Sequence, residues 1–178
     1  MLEIAATTLR MNESGNLFSH ETHSYHIEPF AGANIEQAAL DFTGINPHHP
    51  LRPAQAEDKA LRDMFKHIRA EMKLAQCKRA ILVGHNASFD LGFLNAAVER
   101  SAIKRNPFHP FSSFDTATLS GLALGQTVLS IACRSAGITF SNEDAHSAVY
   151  DTQKTAELFC HIVNQWKALG GWPLGSQA

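Results

Sequence analysis

The sequence predicts a mixed α/β domain on three observations: strand-like alternation at the N-terminus, a short apolar run between helical patterns in the middle, and amphipathic stretches over the C-terminal half. Its 178 residues, 44% hydrophobic, suffice for one core and fall short of two ordinary domains. A single domain over residues 1–178 is therefore expected. The formal charge of -2 and pI near 6.5 exclude a uniformly basic nucleic-acid binder, so affinity for phosphates must come from local patches. Cys77, Cys133 and Cys160 are widely spaced and form no CxxC, which argues against a disulfide framework or a thiolate zinc site and fits a reducing cytoplasm. There is no run of about 18 apolar residues to span a membrane, and no basic segment leading into an apolar stretch for export.

Taken in order, LEIAATTLRM alternates as a strand, NESGN at 12–16 supplies turn residues, and THSYHIEPF alternates again. Residues 2–29 are thus expected to form an antiparallel hairpin. NIEQAALDF predicts a short helix ending near Gly44, and INPHHPLRP an irregular connection. Over 57–76, Leu61, Met64, Phe65, Ile68 and Met72 share one stripe of an amphipathic helix. RAILVGH then reads as a buried strand. Asn86 or Ser88 can cap a helix carrying Phe89, Leu91, Phe93, Leu94, Ala97 and Val98, broken near Arg105, Asn106 and Pro107. Further helices are expected at about 115–124 and 128–136. The last, about 147–169, stacks Ala156, Phe159, Cys160, Val163 and Trp166, and Gly170, Gly171 and Pro173 stop it.

Two acidic motifs carry chemistry. In HNASFD at 85–90, a strand ends, a polar turn follows, and Asp90 sits in the first helical turn. That position holds a carboxylate on regular elements while it faces a cleft, although an acid at a helix start is also favoured by the dipole alone. In HSAVYD at 146–151, His146 precedes the C-terminal helix and Asp151 lies about one turn inside it. Five residues rotate a helix by about 500°, so the two converge only if His146 stands on the irregular lead-in.

Together these motifs resemble those of the DEDDh exonucleases. RNPFHPF at 105–111, FDTATLSGLALGQTVLS at 114–130 and NQWKALGGWPL at 164–174 resemble the ribonuclease T branch of that family, and the resemblance covers the whole chain. It implies a ribonuclease H-like exonuclease fold, a mixed sheet flanked by helices, and two-metal removal of nucleotides from RNA 3′ ends, including those of tRNA precursors, with single-stranded DNA as a further substrate class. It also implies that Asp90 and Asp151 are metal ligands and that His146 is the general base, a role suited to an imidazole titrating near neutral pH. Hard oxygen donors favour Mg²⁺ or Mn²⁺ over zinc. Two such cations about 3.5–4 Å apart stabilise the attacking and leaving oxygens of an in-line phosphodiester displacement.

The family's DxE motif, an Asp and a Glu two residues apart on its first strand, is missing from this sequence. The early acid Glu3 lies on a strand resembling the family's second, so it does not take that role. The chain is expected to be N-terminally truncated, without the family's first strand, and to hydrolyse RNA poorly or not at all. One competing reading is a non-catalytic RNA-binding relative. Another, a DNA-proofreading exonuclease, is disfavoured by the RNPFHPF and GGWPL segments.

The resemblance further assigns Phe42, Phe89 and Phe111 to stacking on the terminal bases, each contact contributing about 1–3 kcal/mol. Where the family places an acidic residue four positions before the first of these, Ala38 stands here. Lys73, Arg79 and Lys104 match a basic patch distant from the catalytic centre, which a homodimer presents to the partner's active site. His48, His49 and His109 lack partners at ligand spacing and are expected in loop or turn roles.

Overall fold

The computed structural model describes residues 1–171. Strands β1 (Glu3–Met11) and β2 (Leu17–Ile27) pair antiparallel, with Glu3 opposite His26, Met11 opposite Leu17, and a bulge between Thr7 and Leu9. The turn closes where the Asn12 side chain accepts the Asn16 amide at 2.9 Å. At the far end, β2 runs parallel to the two-residue β3 (Ala54–Gln55). Between them lies α1 (Gln37–Thr43), ended by Gly44 in the left-handed conformation at φ 68°, which glycine adopts without strain.

The second half begins with α2 (Glu57–Leu74), β4 (Ala80–Gly84) and α3 (Ala87–Arg100). The stripe expected on α2 is buried as Leu61, Met64, Phe65 and Ile68, with Met72 at its partly buried margin. It packs on Leu94 and Ala97 of α3, and Ile4, Ala6, Tyr25, Ala80 and Leu82 come down on the same cluster. One apolar core therefore underlies both β1 and β4. Glu57, 8% exposed, ties the start of α2 to the end of α3 through a bidentate pair with Arg100 at 2.8 and 3.0 Å.

The region around residues 105–115 departs from expectation. The helix break near Pro107 is present, but it leads directly into a strand, β5 (Phe108–Asp115), parallel to β4. Pro110 and a register shift between Ala80 and Leu82 hide its alternation, and a strand with one partner tolerates such a proline. Then follow α4 (Thr116–Leu124), α5 (Leu129–Ser135) and α6 (Ala148–Ala168). Helix α6 buries two faces: Leu158 and Ile162 against Ala132 and Cys133, and Ala156, Phe159 and Cys160 on the side turned to the strands. Val163 and Trp166 are only partly buried, because the helix outruns the core. Gly170 (φ 124°) and Gly171 (φ 69°) follow its end as expected, whereas Pro173 lies outside the described residues.

The strands thus form a mixed set flanked by helices, divided between a three-stranded sheet in the order β1-β2-β3 and a two-stranded sheet β4-β5. Among the described residues no ladder joins β1 to β4, and each presents an unpaired edge. Helix α6 contacts β1, β2 and β4 and so bridges the two sheets. All three cysteines are free, and burial pushes the Cys133 thiol up to about 11, which leaves it protonated and inert.

Candidate active site

The site is assembled at the C-terminal end of β4. Gly84 closes the strand, and a Cβ there would sit 2.9 Å from Asp90 Oδ2 and 3.0 Å from the Ala87 Cα. Only glycine leaves room for the carboxylate. Asn86 turns the chain into α3 in the left-handed conformation (φ 68°) and makes no side-chain cap to the helix. The expected capping is replaced by a tertiary bond, in which Asp115, ending β5, accepts the Asn86 amide at 3.0 Å. Asp115 also accepts the Ala117 amide at 2.8 Å as the cap of α4. One carboxylate thereby fixes both turns above the parallel strand pair.

His85 is clamped by both ring nitrogens, Nδ1 at 3.0 Å from the Thr116 hydroxyl and Nε2 at 2.8 Å from the Thr127 carbonyl. Held this way, it is a structural histidine. Asp151 comes from the first turn of α6, whose cap is Ser147, accepting the Tyr150 amide at 3.2 Å. His146 stands just before this cap with φ 75°, on the irregular lead-in that convergence requires.

The electrostatics show how these groups share a site. Burial pushes the Asp90 carboxyl above the usual range, and the charge of Asp115 adds to the shift, while a backbone amide and His85 oppose it. Asp90 stays open to solvent on one side. Burial likewise raises Asp151, against the opposing effects of the His146 amide, the His146 ring and His85. His85 thus acts electrostatically on both aspartates. Among the described residues neither carboxylate, nor Asp115, is paired with a lysine or arginine.

The chemistry of this donor set fits a hard divalent cation, since Mg²⁺ is commonly held by one or two carboxylates, its remaining positions going to water and substrate oxygens. The glycine cradle beneath Asp90 and the unneutralised charge point the same way. Among the described residues, however, no three His, Cys, Asp or Glu side chains converge closely enough to hold a metal ion by themselves.

The aromatic positions behave differently from one another. Phe42, 64% exposed on α1, lies with its ring centroid 4.0 Å from that of His146. Phe89, beside Asp90, is exposed and packs on Phe93 at 4.8 Å. Phe111, 81% exposed, stands four residues before Asp115 on β5 with its ring edge against His109. His109 lies within β5 rather than in the expected loop or turn, and its ring accepts the Ser112 amide at 3.0 Å, while His49 accepts the Leu51 amide at 3.2 Å.

Lys73 ends α2 and Arg79 immediately precedes β4, so this basic pair lies at the opposite end of the strand from the acids, about 16 Å away for five extended residues. Lys104 lies in the loop after α3, where it lines an open cavity of about 470 Å³ with Arg62, Arg69 and Arg105. Gly84, His85 and Asp115 were not singled out from the sequence. The Asp-Thr start of α4 is a capping signal, but its second partner, Asn86, is revealed only by the fold.

Helix-borne and strand-end acids beside a histidine, on helices flanking mixed strands, define a nuclease of the ribonuclease H-like exonuclease fold. The chain belongs to the RNase_T exonuclease family, whose model matches residues 1–159. Three solved structures share the fold at 15% identity. They are a full-length 3′-exonuclease (TM-score 0.60, covering 92% of this chain and 82% of that one), a 3′-exonuclease in 3′-end-specific recognition of a histone mRNA stem-loop (0.58, 95% and 83%), and the nuclease domain of a DEDDh family member bound to rAMP (0.56, 95% and 93%).

Proposed function

We propose that this chain is a 3′-to-5′ exoribonuclease domain that trims RNA 3′ ends, tRNA precursors among them. The observation that supports the proposal is that Asp90 and Asp151, in the first turns of two different helices, are both raised by burial and both feel the His85 ring, with His146 acting on Asp151. Relatives of the same fold recognise a histone mRNA stem-loop and bind rAMP, which supports RNA as the substrate class.

In this reading Asp90 and Asp151 hold Mg²⁺, or Mn²⁺ in its place, which when bound stabilises developing charge on the phosphodiester oxygens. His146 takes the proton of the attacking water through a ring nitrogen. Phe42, Phe89 and Phe111 stack the terminal bases, and Lys73, Arg79 and Lys104 steer the phosphates of an RNA shared across a homodimer in the cytoplasm. With two of the family's four acidic ligands among its 178 residues, the chain hydrolyses RNA slowly. A second reading, a non-catalytic RNA-binding relative, is favoured by the lack of any three converging donors among the described residues.

A single-turnover assay on short labelled RNA, with protein in excess, tests the first reading. Slow shortening from the 3′ end is expected in Mg²⁺, faster on RNA than on DNA, and lost in EDTA and in Asp151→Asn. Internal cuts, or equal shortening by an Asp90→Asn/Asp151→Asn variant, would overturn it. Binding without any shortening would favour the second reading.

A further inference from the structure

The two histidines of the site are held in contrasting ways. His85 uses both ring nitrogens in hydrogen bonds. The His146 ring makes no hydrogen bond among the described residues and packs instead on Phe42, centroids 4.0 Å apart and planes tilted by 46°. The His146 backbone is in the left-handed region (φ 75°), at the end of a turn-rich stretch over 141–147. Nothing in that local chain fixes the imidazole.

Helix α1, which supplies Phe42, has no buried residue of its own, and glycines at positive φ, Gly32 (81°) and Gly44 (68°), flank it. Among the described residues no other aromatic ring packs on Phe42. The reach of α1 across 104 positions of sequence to His146 therefore has a consequence for the site. A ring-to-ring contact that uses no hydrogen bond leaves both ring nitrogens available for proton transfer.

We propose that Phe42 is a positioning residue for His146, holding the imidazole by ring packing while its nitrogens stay free of hydrogen bonds and available to the site. The proposal rests on the exonuclease reading for the role of His146, but the contact itself is tested without catalysis. It also links α1 to the chemistry, because a nucleobase that displaces Phe42 releases His146, and one that stacks on its outer face presses it home.

The test is a proton-carbon correlation spectrum of the imidazole Cε1–H groups of the 178-residue chain in EDTA, with His146 assigned by the loss of its signal in His146→Gln. The wild-type His146 signal is expected to be displaced by the ring current of Phe42. It should move to the position of an exposed histidine in Phe42→Ala and stay displaced in Phe42→Tyr. Phe42 is exposed, so Phe42→Ala should fold, and thermal melting by circular dichroism checks this. An unchanged His146 signal in Phe42→Ala, or a Phe42→Tyr signal matching that of Phe42→Ala, would overturn the proposal. Adding a short single-stranded RNA with a 3′-hydroxyl separates the two readings: failure to bind counts against the exonuclease function, while the comparison of variants still decides the role of Phe42.

Discussion

Removing charge from the acidic site should stabilise the metal-free protein. Asp90 and Asp151 both have carboxyls raised by burial, and among the described residues no lysine or arginine neutralises them. A native carboxyl raised above its unfolded value contributes stability that is complete below the unfolded value, near 3.9 for Asp, and is lost as pH rises through the native one. At pH 7 each carboxylate therefore works against folding. The effect is limited in size, because Asp90 is open on one side and solvent screens its charge.

Asp90→Asn and Asp151→Asn, which keep the shape, should thus each gain up to about 1 kcal/mol at pH 7 in EDTA, equivalent to about 2–4 °C in Tm for a chain of this size. The gain should fade as pH falls toward 4, where the wild-type carboxyls take up protons. Saturating metal should reverse the order: Mg²⁺ at ten times its Kd adds about 1.4 kcal/mol to the wild type and little to either variant. Thermal unfolding followed by circular dichroism across pH, with and without Mg²⁺, measures all of this. If either variant is less stable than wild type at pH 7 in EDTA, the electrostatic account of the site is wrong.

Three further outcomes are expected. Gly84→Ala should cost about 1–3 kcal/mol by overpacking and weaken protection by Mg²⁺, since the new methyl meets Asp90 Oδ2 and the Ala87 backbone; calorimetric titration and melting would register both. Glu57→Ala should cost about 2 kcal/mol, less than a fully buried pair because Arg100 is 36% exposed, and should lower the urea midpoint with an unchanged m value. Substituting Lys73, Arg79 and Lys104 together with Ala should weaken single-stranded RNA binding and flatten its log-log salt slope by about 2, as measured by fluorescence anisotropy; an unchanged slope would remove the patch from the interface.

How much was legible in the sequence followed from range. The hairpin and helices α2, α3 and α6 were visible because their periodicity is local and their apolar faces meet the core. Strand β5 was not, since Pro110 interrupts its pattern and only β4 gives it a reason to extend. Asp90, His146 and Asp151 stood out through motif and position. Asp115 and Gly84 did not, because one acts through Asn86, 29 residues back, and the other through the room it leaves for a side chain. The stacking of Phe42 on His146 joins two elements with no common local pattern.

The division of the strands into two sheets also bears on how the protein opens. With no backbone ladder between β1 and β4 among the described residues, cooperativity between the two halves passes through side chains of α2, α3 and α6. The two halves are therefore expected to exchange amide hydrogens as separate units, each with its own opening free energy. Asp90 rides on α3 and Asp151 on α6, so the acidic pair sits on two of the helices through which that coupling passes. A cation held by both would tie α3 to α6, and its binding would be read in slowed amide exchange beyond the site itself.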